Sequence, residues 1–229
     1  PEPFGRLFNQ GYIQAPAYID ERGVYVDASA VVENPPGAFT FEGGAVKREF
    51  GKMGKSLKNV ITPDDVCDEY GADTMRLYEM YMGPLADSKP WNPKDVPGVH
   101  RFLHRVWRLA VDEETPEDQV VAGLQADRPD DQDLERALQR TIHKVEGDIT
   151  RLAFNTAIAA MMIFVNDATK AKDKVSRSQM TRFVQCLHPF APHLAEELWL
   201  RLGHKDLIAY APWPKVDPSY LRDDTVEIV

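Results

Sequence analysis

Cysteine is scarce in this chain of 229 residues: only Cys67 and Cys186 occur, and neither belongs to a CxxC or Cys/His spacing. A disulfide framework or a zinc site depends on such spacing. We therefore expect two reduced thiols and no metal site built by this chain.

Long apolar runs are also missing. No stretch approaches the roughly 18 apolar residues that cross a bilayer. The opening PEPFGRLFNQ lacks the basic and apolar regions of a signal peptide. We expect a cytoplasmic protein without a membrane partner.

Positive charge is in the minority, with 27 Lys and Arg against 36 Asp and Glu and a net charge of −9. This argues against a protein that coats nucleic acid nonspecifically, because phosphate binding needs concentrated cations. The charges are segregated, however. Residues 112–133 hold nine carboxylates and one arginine, whereas residues 100–108 hold three arginines and no acid. A local positive face can therefore exist within an acidic total.

The first fifty residues have the composition of strands and turns. GYIQAPAYI and GVYVDASAVV flank a DERG turn, and FTFEGGAVKREF forms another strand pair broken at Gly43 and Gly44. With 43% hydrophobic residues, the chain can form one large or two modest cores. The sequence predicts a small β-rich segment over residues 1–50.

A helical pattern follows. Thr62 is a suitable N-cap with Pro63 at the first helical position, and Gly71 should end that helix. Asp73 can cap a second helix over TMRLYEMYM. Further helices are predicted at 97–112, 132–150, 153–169, 176–187 and 191–202, with an apolar strand at the closing VEIV.

Apolar residues recur at helical spacing in the central helices, for example at Leu134, Leu138 and Ile142, and this periodicity predicts an antiparallel bundle. The fold class is mainly α. The predicted segments are 1–50 (β-rich), 51–96 (the loop described next and two helices) and 97–229 (the bundle). The acidic stretch 112–133 is interpreted as a solvated loop between helices.

The stretch GKMGKSLKN, residues 51–59, concentrates donors. Lys52, Lys55 and Ser56 stand shortly before a helix start, and ammonium groups, backbone N–H groups and the helix dipole all favour an anion. Phosphate is the natural candidate. From charge alone, an exposed basic turn without a ligand explains the stretch equally well.

The motif itself favours a ligand. KMGKS resembles the KMSKS signature loop of class I aminoacyl-tRNA synthetases, and NVITPDDVCDEYGADTMRLY continues that resemblance. RFLHRVWRL, FNTAIAAMM, LHPFAPHLAEELW and APWP resemble, in order, the helical anticodon-binding domain of the class Ia branch. GPLADSKPWNPKDVPGVHRFLHRVWR is most similar to the bacterial leucyl enzymes, and the β-rich segment is similar to a small insertion that they carry.

The resemblance implies an ATP-dependent ligase that activates leucine and transfers it to tRNA(Leu). By position in the signature loop, Lys52 and Lys55 would neutralise the triphosphate of ATP as pyrophosphate departs, Met53 would pack near the adenine, and Ser56 would add a donor. Gly54 stands where the signature has serine, and we interpret it as a tolerated variant with more backbone freedom. Mg²⁺ would be held largely through ATP and through parts of the enzyme outside this chain.

A HIGH-type motif is absent from all 229 positions. The resemblance assigns that motif, the leucine pocket and the editing domain to regions upstream. We therefore expect this piece to be inactive alone, and to be a monomer. The alternatives are a helical RNA-binding or scaffolding module that retains the loop as a relic, or an isoleucyl, valyl or methionyl enzyme.

The arginines of 100–108 are candidates for tRNA contacts. Arg101, Arg105 and Arg108 stand at i, i+4 and i+7 and so share one helix face. The alternative is a basic stripe that pairs with the acidic stretch. Lys144 and Arg151 are further candidates for tRNA binding.

Other conspicuous residues are interpreted as structural. Trp107 lies among apolar residues and is assigned to the core. HPFAPHLAEELW, residues 188–199, is a proline corner followed by a helix start at His193, and Asp64 with Asp65 belong to helix-start chemistry rather than to acid–base catalysis.

Overall fold

The computed structural model describes residues 3–115, 119–125 and 128–222. The chain divides into two compact units. The first holds the residues up to Glu69 together with Gly83–Asp95, and the second holds Tyr70–Met82 and the residues from Val96 onward.

The first unit is built on a sheet in the order β2-β1-β5-β4-β3, with β6 pairing in parallel with β1. The long antiparallel pair is β1 with β5, in which Ala17 lies opposite Glu49. Alternation on β1 buries Ala15 and Ala17. The strands are β1 (Ile13–Ile19), β2 (Tyr25–Val26), β3 (Val32–Glu33), β4 (Phe39–Phe41), β5 (Gly44–Lys52) and β6 (Lys89–Pro90).

Both predicted hairpins are present. Strand β1 turns into β2 at Asp20, whose carboxylate accepts from the backbone N–H of Val24 at 2.9 Å. Strands β4 and β5 are joined by Glu42 and Gly43, which have φ angles of 50° and 82°. Two consecutive residues with positive φ are typical of the tight hairpin turn that matches strand twist.

The helices are α1 (Pro63–Tyr70), α2 (Ala72–Tyr81), α3 (Val96–Ala110), α4 (Ala122–Gln125), α5 (Gln132–Thr150), α6 (Phe154–Lys170), α7 (Arg177–Leu187) and α8 (Pro192–Arg201). All the predicted helices occur within a few residues of their predicted bounds. The described residues are mainly helical, which confirms the fold class.

The core of the second unit lies between α5 and α6, which make the most extensive helix contact of the unit. Leu138 and Ile142 of α5 are fully buried, as are Ile158 and Met161 of α6. Helix α7 packs on α5, and α2 packs on α3, α6 and α8. The apolar periodicity in the sequence therefore faces the core as predicted.

The acidic stretch is not the simple solvated loop that was predicted. It contains α4, whose Leu124 is fully buried, and Val111 forms an antiparallel bridge with Val120. The Leu124 and Val111 side chains are removed from water, which anchors the stretch. Residues 116–118 and 126–127 of the stretch, and the strand predicted at VEIV, lie outside the described residues.

Asp73 does not cap its own helix, contrary to prediction. Helix α2 follows Gly71, and the Asp73 carboxylate accepts from the backbone N–H of Leu194 at 2.7 Å and from that of His193 at 3.3 Å. It also contacts His193 Nδ1 at 2.8 Å. A carboxylate favours a helix N-terminus wherever that terminus comes from in sequence. Asp73 therefore caps α8, which supports the structural interpretation of the proline corner.

The predicted segment 51–96 is divided between the two units. Its loop continues from β5 and belongs to the first unit, whereas α2 belongs to the second because it packs on α3, α6 and α8. The two units meet along the chain at Asp95 and Val96.

Both cysteines are free thiols, and burial raises the pKa of the Cys186 thiol. Throughout the described ranges, no three His, Cys, Asp or Glu side chains are grouped as metal ligands. None of the helices in these ranges combines the length and the apolarity needed to span a membrane.

Candidate functional site

The lysine-rich loop of the first unit has a fixed backbone path. Lys52 is the last residue of β5, and the N–H of Met53 donates to the Ile13 carbonyl at 3.3 Å. A 3₁₀ turn spans Lys55–Leu57 and ends at Lys58 in the left-handed region, with φ of 49°. The loop is thus an extension of the central strand followed by one tight turn.

Both predicted phosphate-binding ammonium groups are available to an anion. Lys52 Nζ lies 4.3 Å from the centroid of the Tyr12 ring, a cation–π contact, and Lys55 is exposed. Among the described residues, no carboxylate forms an ion pair with either lysine. Ser56 is exposed and Met53 is half-buried in the same turn.

Gly54 does not need to be glycine. Its φ of −178° and ψ of 155° are extended, and a Cβ there would meet nothing closer than 3.9 Å. The freedom expected from the sequence is therefore not used in this conformation. Gly51 is different, because a Cβ there would lie 2.5 Å from Leu57 Cδ1.

This contrast gives a stability prediction. Gly54→Ser should change the free energy of unfolding by no more than about 0.5 kcal/mol, as an unstrained surface substitution. Gly51→Ala should destabilise by about 0.5–1.5 kcal/mol, because the end of the half-buried Leu57 side chain must rotate away from the new methyl group. Urea denaturation of the two variants would measure the difference, and equal stabilities would contradict the close approach at Gly51.

Asn59 is a buried residue of this loop whose part in the site is not evident from the sequence. It is 2% exposed, and its side chain hydrogen-bonds to the backbone at Gly54, Gly51 and Ala15. A polar residue in a basic turn carries no distinctive pattern of its own. Its role becomes visible only when the strand that it contacts is known.

The predicted arginine face of α3 is present in the second unit, but its members differ. Arg101 is exposed. Arg105 is half-buried and donates to Thr169 Oγ1 at 3.3 Å and to the Val165 carbonyl at 3.5 Å. Arg108 lies 3.7 Å from Glu113, so the alternative of pairing with the acidic stretch holds at that position.

Lys144 and Arg151 converge on one buried carboxylate. Asp148 is 1% exposed, Lys144 Nζ contacts its Oδ2, and Arg151 Nη2 lies 2.6 Å from its Oδ1. Burial opposes ionisation of Asp148, but the hydrogen bonds from Lys144, Thr156 and Arg151 hold the pKa of this carboxyl below its usual range. These two cations therefore stabilise the turn between α5 and α6.

Trp107 is half-buried rather than a full member of the core, which corrects the prediction. The Arg201 guanidinium lies 4.9 Å from its ring centroid. The ring lines a cavity of about 300 Å³ with other aromatic side chains, namely Tyr70, His100 and His104.

Burial and the neighbouring His104 lower the pKa of His100, whose Nε2 lies 3.2 Å from that of His104.

Two families match the sequence in succession. Residues 24–89 match the tRNA synthetases class I (I, L, M and V), and residues 131–229 match the anticodon-binding domain of tRNA ligase. The first match includes the lysine-rich loop, and the second includes α5 to α8.

Curated relatives match nearly the whole chain. A leucine–tRNA ligase of Mycolicibacterium paratuberculosis is 54% identical over 99% of this chain and 24% of its own length. One from Mycobacterium tuberculosis H37Ra is 53% identical over 99% of this chain and 23% of its own length. The chain thus spans about a quarter of the length of these relatives.

A solved structure is also similar. It is the ternary complex of Agrobacterium radiobacter K84 agnB2 LeuRS with tRNA and LeuAMS. The similarity has a TM-score of 0.60 and 31% sequence identity, and covers 75% of this chain and 23% of the other.

Proposed function

The chain belongs to the leucine–tRNA ligase family, and we propose that it supplies the ATP signature loop and the tRNA-binding helical bundle of such a ligase. The substrates of the complete enzyme are then leucine, ATP and tRNA(Leu). The chain acts with the remaining parts of the ligase, and by itself it forms no leucyl adenylate.

The proposed binding of ATP rests on one observation, which is that Lys52 and Lys55 make no ion pair with the described residues. Lys55 is exposed and Lys52 rests only on an aromatic face, so neither charge is neutralised by a carboxylate of the described residues. When adenylate forms, negative charge grows on the departing phosphates. Cations placed beforehand at that position lower the barrier electrostatically and need neither a base nor a nucleophile.

The other members of the loop have supporting roles in the proposal. Met53 packs near the adenine, Ser56 adds a hydroxyl donor, and the extended Gly54 spans the two lysines. Mg²⁺ binds the phosphates of ATP and is held by them together with parts of the ligase outside this chain.

For tRNA, we propose that the face of α3 contacts the phosphate backbone. Arg101 is the strongest member because it is exposed and makes no ion pair within the described ranges. Arg105 retains donors beyond its two contacts with α6, and Arg108 is 58% exposed despite Glu113. Lys144 and Arg151 are secondary, because any phosphate must compete with Asp148.

We expect the double substitution Arg101→Gln and Arg105→Gln to weaken tRNA binding by the complete ligase about tenfold at low salt. The slope of log K against log salt should become shallower by about 1 to 2, since one or two phosphate contacts are lost. Filter binding across a salt titration measures both quantities.

The matched control is Lys172→Gln with Lys205→Gln, which removes two positive charges from exposed positions of the same unit. An equal effect of the two double substitutions would mean that only net charge matters. The proposed face would then be rejected.

Amino-acid identity is tested by ATP–pyrophosphate exchange in the complete ligase. Exchange should depend on leucine and should be lower by orders of magnitude with isoleucine, valine or methionine. A non-catalytic RNA-binding or scaffolding module, the other candidate, would show no amino-acid-dependent exchange at all.

A further inference from the structure

Asn59 connects three separate points of the first unit. Its Oδ1 accepts from the Gly54 N–H at 3.0 Å, and its Nδ2 donates to the Ala15 carbonyl at 3.1 Å and to the Gly51 carbonyl at 3.5 Å. Ala15 belongs to β1 and Gly51 to β5, so one amide joins two neighbouring strands to the middle of the loop.

We propose that Asn59 is the positioning residue of the signature loop. It ties Gly54, which lies between the two lysines, to strands β1 and β5, and so sets where the Lys52 and Lys55 ammonium groups lie before ATP binds. This inference rests on the proposed ATP-binding function of the loop and adds to it a residue that does not itself touch ATP.

The chemistry of the side chain fits this role closely. A carboxamide offers one acceptor oxygen and two donor hydrogens, and the surroundings offer one N–H and two carbonyls. An aspartate in the same place could accept from Gly54 but could donate to neither carbonyl. The amide is also 2% exposed, so water cannot replace a lost partner without a rearrangement.

The short turn completes the device. Within it, the Leu57 N–H donates to the Gly54 carbonyl at 3.2 Å and the Lys58 N–H donates to the Lys55 carbonyl at 3.3 Å. These local bonds hold the turn together, whereas the bonds of Asn59 attach it to the sheet. Without that attachment the turn can swing, and Lys55 samples positions away from the phosphates.

Misplacement of a reacting group by about 1 Å can cost about 100-fold in rate. We therefore expect Asn59→Ala in the complete ligase to lower kcat for leucine-dependent ATP–pyrophosphate exchange by about 10- to 100-fold. The KM for ATP should change by less than about threefold, because ground-state binding depends less on the exact placement of the lysines. Asn59→Asp keeps the bond from Gly54 but places a buried carboxylate against the two carbonyls, so it should lower kcat at least as much as Asn59→Ala.

The structural readout is amide hydrogen exchange by this chain. Asn59→Ala should speed exchange of the Gly54 amide at least about tenfold, while the amides of the β1–β5 ladder, such as that of Glu49, stay protected. Asn9→Ala is the matched control, since Asn9 is exposed and lies in the same unit. Asn9→Ala should alter neither kcat nor the amide hydrogen exchange of Gly54.

Each outcome bears on the proposal. The positioning role is overturned if amide hydrogen exchange at Gly54 is unchanged in Asn59→Ala. It is also overturned if amide exchange accelerates equally at Gly54 and across the β1–β5 ladder, because Asn59 would then support the whole sheet. Faster Gly54 exchange with unchanged kcat also overturns it. Failure of the proposed ATP function is a separate outcome, because ATP–pyrophosphate exchange would then be unchanged when Lys55 itself is replaced.

Discussion

Replacing Lys55 with alanine in the complete ligase is expected to lower leucine-dependent ATP–pyrophosphate exchange by about 10²- to 10³-fold, the effect typical of a lost donor that stabilises transition-state charge. The ammonium of Lys55 is exposed and makes no ion pair with the described residues, so its loss leaves no buried group unsatisfied. The decrease should fall mainly on kcat, since the charge that Lys55 meets grows during the reaction.

Lys52→Ala should have a smaller effect than Lys55→Ala. Lys52 gives up its contact with Tyr12 when it moves to phosphate, so part of its interaction energy is already used in the free state. The order of the two variants therefore tests the geometry and not only the motif. Single-turnover measurement of adenylate formation separates chemistry from product release.

Lys47→Ala is the matched control, because Lys47 is an exposed lysine of the same strand that leads to the loop. Its replacement should leave exchange unchanged. Comparable losses in Lys47→Ala and Lys55→Ala would show a general electrostatic effect. Activity untouched in Lys55→Ala would remove the ATP role and would favour a loop retained as a relic.

Local sequence signals were sufficient for most of the fold. Helix α5 was predicted at 132–150 and occurs at Gln132–Thr150, because Asp131 caps it and the apolar spacing continues to its end. The hairpin at Glu42 and Gly43 is set by its own turn residues. The family was predicted from KMGKS and the phrases after it, and the 54% identity with a leucine–tRNA ligase confirms it.

The differences arise where a side chain acts on a residue far away in sequence. Asp73 stands at the start of α2 but caps α8, 120 residues later. Asn59 contacts Ala15, 44 residues earlier. Trp107 was assigned to the core from its neighbours on α3, although its exposure depends on what other elements place beside it. Spacing along one helix carries no information about such partners.

The same limit applies to the candidate site. The motif located the signature loop, but which charges are free depends on the fold. In the sequence, nothing distinguishes Lys144 and Arg151 from the other candidate cations. In the structure, both pair with the buried Asp148. Arg101 stayed exposed on its helix face. A list of cations from sequence is therefore divided by the structure into charges already used and charges still available.

The largest effect on stability is expected at Arg182 of α7. Its Nη2 lies 2.8 Å from Glu135 Oε2 and 2.7 Å from Asp130 Oδ2, and the Glu135 side chain is only 6% exposed. Arg182→Met should destabilise the second unit by about 3–5 kcal/mol, because the Glu135 charge is left buried without its partner. Thermal and urea unfolding by circular dichroism would measure this loss. Lys170→Met, which breaks the exposed pair with Asp167, should cost about 0–1 kcal/mol.

The dependence on pH separates lost charge pairing from lost packing. In the wild type, burial opposes ionisation of Glu135, but hydrogen bonds from Arg182 and Gln139, the charge of Arg182 and a bond from Gln179 hold its pKa below 4.5. Its contribution is present above that ordinary value and is lost as pH falls through the lower folded-state pKa. Without Arg182, burial should instead raise the pKa of Glu135, so the variant becomes relatively less destabilised in acid. A deficit independent of pH would mean that packing alone is lost. In that case adding Glu135→Leu to Arg182→Met would not restore stability. If the loss instead comes from a buried carboxylate without its cation, Glu135→Leu should restore part of the stability.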